Sequence, residues 1–413
     1  MQKLIDWMNS TVAPKLEKIS QNHYISALQQ SIMKTLPMIL VSSVVTVYSQ
    51  LRKHIVTLPN LSPISSYSFG LISIFIAFML PFYILENKKI HRTKFVAGFT
   101  GISLFMLFVN PKISAAGYLY NFTSFGAGGM FVAIVVGLMV GFVFSMFKKS
   151  SFFKEDSVIP DFVKEWFDSM IPIALILLLG WFVVIQSKFD AYSFIVATFM
   201  PLVHIMQSPF GFVIIYFIPT VFYSMGISGW VFTPILNPVF LTAIAANAAA
   251  VTAGATATYI ATSETLYAYL SLGGRGATLP LAFLLLFSAS KKLKALGKAS
   301  LVPSLLNINE PVVFGTIAWN PILMIPMWII ALVLPLITYV TLSLGWFPIP
   351  ASAFTMWYMP IGLSAFVMTG DFRSLILVVI NLGVALAIWY PFFRIYEGRE
   401  VKKEQDLISN KVE

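Results

Sequence analysis

Long apolar runs, separated by short polar or charged segments, dominate the chain. A helix needs about 17–25 mostly apolar residues to cross a bilayer. Runs near that length fall at 26–49, 67–85, 95–110, 126–147, 167–186, 193–208, 209–228, 277–290, 322–346 and 374–396. They predict ten crossings. Two further stretches, 231–270 and 348–371, are apolar but so rich in Pro, Asn, Ala and Thr that they read as re-entrant hairpins, a geometry tolerated at membrane depth only inside protein or beside a water-filled cavity. Residues 1–20 scatter Lys3, Asp6, Lys15, Glu17 and Lys18 among apolar side chains, which predicts an interfacial amphipathic helix and not a cleaved signal peptide. The segment 148–170, with Asp161, Lys164 and Glu165 beside Phe162, Trp166 and Phe167, predicts a second amphipathic helix on the inner surface.

Composition narrows the class. Hydrophobic residues make up 58% and charged residues 11% of the 413, where soluble domains carry about 25% charged; mean hydropathy is +0.83. An ordinary soluble enzyme, a disordered chain and a disulfide scaffold are excluded. The fold class is an all-α polytopic membrane protein. The net charge of +10 sits in short clusters between apolar runs, not along one face, which marks membrane topology and not nucleic acid. With no cysteine, thiol nucleophiles and a phosphocysteine are absent, so the chain itself holds no phosphorylation site of that kind.

The clusters set the orientation. Lys88, Lys89, Arg92 and Lys94, then Lys148, Lys149, Lys154 and Lys164, then Lys291, Lys292, Lys294 and Lys298, then Arg399, Lys402, Lys403 and Lys411 fall on one side of the predicted spans. The other side holds Arg52, Lys53, Lys112, Lys188 and Arg373. Because basic loops stay cytoplasmic, both termini are expected inside the plasma membrane. The organisation expected is a scaffold and dimerisation part over 1–165, a transport part over 166–396 that holds the Pro and Gly interruptions, and a cytoplasmic tail over 397–413.

Between Asp190 and Asp371 the chain has two acids, Glu264 and Glu310. A carboxylate within a span is costly and by default faces a cavity or a partner. Glu310 follows Asn307 and Asn309 and precedes Pro311, which breaks the helix and frees carbonyls. Together these groups suit a polyhydroxyl ligand, in which each hydroxyl both donates and accepts; the other reading pairs Glu310 with a lysine of 291–298. The turn Gly273-Gly274-Arg275-Gly276-Ala277-Thr278 lacks the ending of a phosphate loop and suits a hairpin tip close to a ligand or a helix, with Arg275 either a ligand contact or an outward-facing interface residue. Gly226 and Gly229 allow close helix packing, whereas Ser228 and Asn237 are candidates to line a sugar pocket. Trp357 offers a ring for stacking a pyranose, or serves as an interfacial aromatic. The substrate-binding set is Glu310, Asn309, Asn307, Ser228, Asn237, Gly274, Arg275, Thr278 and Trp357. The histidines share no metal-ligand spacing, and no metal, cofactor or catalytic residue is assigned.

Asn307-Ile308-Asn309-Glu310-Pro311-Val312-Val313-Phe314-Gly315, the preceding 292–298, the turn 273–279 and the ending Trp389-Tyr390-Pro391-Phe392-Phe393 resemble the membrane subunit, enzyme IIC, of the lactose/cellobiose family of the bacterial phosphoenolpyruvate:sugar phosphotransferase system. The resemblance runs from about residue 5 to 396. It implies a homodimer of ten-helix protomers whose first five helices form the interface, with an elevator-type second half that moves the sugar. It further implies inward passage of a β-linked disaccharide of the cellobiose, lactose or diacetylchitobiose type, and phosphorylation by a separate enzyme IIB docked on the cytoplasmic face. The family usually reads Gly-Ile-His-Gly where this chain has Gly226-Ile227-Ser228-Gly229, and a small polar residue where it has Arg275. Two alternatives keep the fold: a membrane sugar sensor that transports nothing, or an uncoupled facilitator.

Overall fold

The computed structural model describes residues 21–147 and 160–409, apart from 56 and 116. The helix expected over 1–20 and the basic residues Lys148, Lys149 and Lys154 lie outside the described residues. Among the described residues the chain is helical, with one small hairpin.

In the first half, α1 (His23–His54) starts where the Asn22 side chain accepts the amides of Tyr24 and Ile25 at 3.0 and 3.4 Å, satisfying donors that the first turn leaves free. It is followed by α2 (Ile72–Asn87) and α3 (Lys94–Phe108), the antiparallel pair β1 (Lys112–Ser114) and β2 (Gly117–Leu119), then α4 (Met130–Met146) and α5 (Asp161–Trp181), which ends in a π turn at Phe182–Gln186. Helix α2 is central and packs on α1, α3 and α4. Small residues set the spacing of α4 on α2: a Cβ at Gly137 would lie 2.8 Å from Leu80 Cβ, and one at Gly141 would lie 2.5 Å from Ile84 Cδ1. Gly137 and Gly141 are therefore used for packing within the protomer.

The second half contains α6 (Ala191–Gln207), α7 (Pro209–Ser224), α8 (Thr233–Thr252), α9 (Leu279–Leu286), α10 (Lys291–Leu305), α11 (Pro321–Ser343), α12 (Leu363–Thr369) and α13 (Arg373–Ser409). Its core is the packing of α7 and α13 on α11 and of α9 on α10. Helices α6 and α7 meet at 82°. Ser208 caps α7 through Gly211 N at 3.0 Å, and Pro209 occupies its first position, where a missing N–H costs nothing. Two helices so bent do not both stand along the membrane normal, so the runs 193–208 and 209–228 are not two parallel crossings.

Among the described residues seven helices are long and apolar enough to cross a membrane, and the bent pair brings the number to eight. The stretch 231–270, expected as a hairpin, instead opens with α8, 20 residues long, and only 253–270 is broken into extended and short helical pieces. Asn247 of α8 closes that break: its Nδ2 donates to Tyr259 O and Pro350 O at 2.8 and 2.9 Å, and its Oδ1 accepts the amides of Thr258 and Tyr259. The stretch 348–371 has irregular backbone over 348–362 and the short α12.

Basic and acidic residues gather at helix ends. Lys94 pairs with Glu86 at 2.6 Å, Arg92 with Asp168 at 3.5 Å, and Asn87 Nδ2 donates to His23 O, bringing the loop 88–93 to the starts of α1 and α5. In the second half Glu397 accepts Ser288 Oγ and Ala289 N, Glu404 accepts the amides of Lys291 and Lys292, and buried Glu400 pairs with Lys292 at 2.9 Å and Lys403 at 2.7 Å. Glu400 raises the Lys292 ammonium above its ordinary pKa, so that side chain stays charged.

Candidate functional site

Broken helices of the second half converge with α1 on a cavity of about 250 Å³. The glycine turn forms one wall. Gly273, Gly274 and Gly276 have φ of 86°, 95° and 87°, a region open to glycine at little cost. Gly274 has a second reason: a Cβ there would sit 2.3 Å from Asn309 Cγ.

Two asparagines hold this turn. Asn307 Oδ1 accepts the amides of Gly273 at 2.9 Å and Gly274 at 3.4 Å, while its Nδ2 donates to Trp357 O at 3.0 Å and Met359 O at 3.3 Å. One amide thus joins the glycine turn, the break after α10 and the segment before α12. Asn309 Nδ2 donates to Arg275 O at 2.9 Å and Thr278 Oγ1 at 3.0 Å, and its Oδ1 accepts the Tyr223 hydroxyl at 3.0 Å. Thr278 Oγ1 donates in turn to Gly273 O. Trp389, fully buried on α13, backs the turn by donating Nε1–H to Ala277 O at 3.0 Å.

Of the residues singled out in the sequence, Glu310, Asn309, Asn307, Ser228, Asn237, Gly274, Arg275 and Trp357 all line the cavity. Thr278 does not; it is buried behind the turn. The two asparagines line the wall, but their NH2 donors are used by the protein, so they position the turn more than they reach into the cavity. Asn237 makes no hydrogen bond of its own among the described residues and keeps its amide for the cavity. Glu310, exposed at the start of the short helix Glu310–Val312, forms no ion pair with the lysines of 291–298 among the described residues. Trp357 packs edge-on against Tyr358, with centroids 5.6 Å apart.

The other acid of this region behaves differently. Glu264 is fully buried, its Oε1 accepting Phe354 N at 3.0 Å and its Oε2 accepting Ser263 Oγ at 3.0 Å. Next to it, Thr355 N donates to Ser43 Oγ on α1 at 3.0 Å. Sequence reasoning missed the α1 wall of Leu36, Ile39 and Leu40, and also Tyr223 and Tyr267. An apolar position in a span gives no sign of facing a cavity, although Pro37 within α1 was an available hint of an unusual helix.

A cavity among broken helices in a polytopic membrane protein, with a carboxylate, an arginine, an amide and aromatic rings on its walls, has the architecture that transporters of polar solutes use. The family model for the phosphotransferase system, EIIC, matches residues 29–331. The chain belongs to that family. It is 28% identical to the putative permease IIC component YwbA of Bacillus subtilis (strain 168), over 97% of each chain. It is 27% identical to the lactose-specific EIICB component of Lacticaseibacillus casei, over 99% of this chain and 74% of that one. The crystal structure of the transporter ChbC, the IIC component from the N,N'-diacetylchitobiose-specific phosphotransferase system, superposes with a TM-score of 0.88 at 23% identity, covering 97% of this chain and 99% of that one.

Proposed function

We propose that this protein is the permease subunit that carries a β-linked disaccharide of the cellobiose, lactose or diacetylchitobiose type inward, for phosphorylation by a separate phosphorylated enzyme IIB on the cytoplasmic face. The observation that carries the reading is Glu310, an unpaired carboxylate on a cavity whose walls are pinned by Asn307 and Asn309. Glu310 and Asn237 bond the sugar hydroxyls, Ser228 donates or accepts one more bond, and Trp357 stacks on a ring. Relatives whose names include lactose and oligo-beta-mannoside specificity support the β-linked class.

The same reading places both termini in the cytoplasm, lipid around the exposed apolar helix faces, and an elevator-like displacement of 166–396 against 1–165. A homodimer forms through the first half. Enzyme IIB docks on the basic loops, beside a pocket of about 390 Å³ lined by Lys292, Trp319, Arg399 and Lys403.

Uptake of labelled disaccharides by vesicles, with and without phosphorylated enzyme IIB, tests this. Phosphorylated sugar inside is expected when enzyme IIB is present. Free sugar inside under both conditions identifies an uncoupled facilitator, and no uptake identifies a sensor; Ser228, in the place of the family's usual histidine, is the observation favouring those alternatives. Reporter fusions after Glu413 and within 51–66 test the orientation, which an externally accessible C-terminus overturns.

A further inference from the structure

Arg275 forms no ion pair among the described residues. The residue is half-buried in the glycine turn and lines the cavity. Its guanidinium lies over the Tyr216 ring, 5.7 Å from the centroid. The Tyr216 hydroxyl is already spent, donating to Leu270 O at 2.9 Å and accepting Gly276 N at 3.1 Å. Nη1 of Arg275 is sealed from water and finds no acceptor among the described residues. Arg92, Arg373 and Arg394 each lie on a carboxylate, of Asp168, Asp371 and Glu397; Arg275 has no such partner among the described residues, and neither do Arg52 and Arg399, but those two are exposed where Arg275 is half-buried. The site also keeps space for the guanidinium, since a Cβ at Gly229 would lie 3.2 Å from Arg275 Nε.

Arg275 and Glu310 are the two charged residues on the cavity wall. Glu310 is exposed and makes no ion pair with the more enclosed guanidinium among the described residues. A guanidinium away from bulk water is best satisfied by a carboxylate, whose two oxygens match the planar fork; a neutral hydroxyl returns a weaker bond. With no carboxylate on Arg275 among the described residues, a ligand in the cavity that Arg275 lines is the source that remains.

We propose that Arg275 is a specificity residue selecting a saccharide that carries one carboxylate, such as a β-linked disaccharide containing a uronic acid, while Glu310 takes hydroxyls of the neutral ring. The inference rests on the disaccharide-permease reading and names its substrate class. A doubly charged sugar phosphate is disfavoured, because Glu310 shares the cavity and repels the second charge.

Isothermal titration of the full chain in nanodiscs, using a neutral glucosyl-glucose disaccharide, its glucuronosyl-glucose counterpart and the 6-phosphorylated neutral sugar, tests it. The uronate disaccharide is expected to bind at least about tenfold tighter than the neutral one, as a charge-assisted bidentate pair provides, with the margin shrinking as salt rises. Arg275→Gln should bring the two within about threefold, and Arg275→Lys, which keeps the charge and loses the fork, should fall between. If Arg275→Gln does not fold, an unchanged margin in Arg275→Lys counts against the fork. Equal or tighter binding of the neutral or phosphorylated sugar by the wild type overturns the inference and leaves the permease reading standing. Binding of none of the three overturns both.

Discussion

Glu264 and Phe354 join the break after α8 to the segment before α12: Oε1 of the buried carboxylate accepts the Phe354 amide at 3.0 Å. The two residues are far apart in sequence, and the bond sits one residue from the contact of Thr355 with Ser43 on α1. Glu264→Ala leaves the amide of Phe354 buried without an acceptor, a penalty of about 1–3 kcal/mol. A lower melting temperature in detergent is expected, whereas Glu264→Gln, which keeps an acceptor oxygen, stays close to wild type. Equal losses from both variants would show that the charge matters and the bond does not.

Glu310→Gln should weaken disaccharide binding by about tenfold to a hundredfold, the worth of a charge-assisted hydrogen bond of roughly 1.5–3 kcal/mol. Ser228→Ala, which removes one neutral bond, should cost on the order of 1 kcal/mol, and Ser228→His should shift the preferred disaccharide. Titration with a sugar panel measures all three. Unchanged affinity in a folded Glu310→Gln protein places the sugar elsewhere.

Gly274→Ala adds a methyl group 2.3 Å from Asn309 Cγ at a residue with φ of 95°. Backbone strain of roughly 1–3 kcal/mol adds to the displaced amide. Loss of sugar binding together with a lower melting temperature is expected, read by titration and thermal unfolding on one preparation.

Acid should weaken the cap that leads into α13. Asp371 accepts Arg373 Nε at 2.9 Å, Nη2 at 2.7 Å and the Arg373 amide at 2.8 Å, and these bonds, the side-chain ones foremost, hold its carboxyl below the usual aspartate range. A carboxyl depressed in the folded state stabilises it above the unfolded value, about 3.9, and loses that contribution as pH falls through the folded value. Melting curves from pH 7 to pH 3 should show wild type above Asp371→Asn at neutral pH, with the two converging below about pH 4.

Dimerisation through the first half is testable by cross-linking, because the natural chain has no cysteine. The informative positions are exposed ones such as Val44, Phe99 and Phe142, not Gly137 or Gly141, which face α2. Cross-links confined to the second half would place the interface there.

The spans and the site were unequally legible. Runs such as 26–49 and 322–346 are apolar enough to declare themselves, and the Asn-Glu-Pro break beside a glycine turn announced a site before any geometry. Helix α8 was hidden because its alanines, asparagines and prolines lower its apolarity, yet Pro234 sits at the helix start and small side chains suit a crowded interior. Asn307 and Asn309 were legible as residues of the cavity wall but not as the brackets of the glycine turn, since an amide offers the same groups to a ligand as to a backbone. The partner of the α4 glycine face was not legible either, because a small-residue stripe states that something packs closely and not which helix does.

The hydrogen bond from Trp389 to Ala277 gives the molecule an internal optical reporter. An indole buried and bonded to the carbonyl of the glycine turn emits at short wavelength for as long as that carbonyl stays in place, while Trp357 lies on the cavity wall. The turn and the cavity wall thus each carry a tryptophan of their own, and subtracting the titration of a Trp389→Phe or Trp357→Phe variant from that of the wild type isolates each ring from the background of the chain's nine tryptophans.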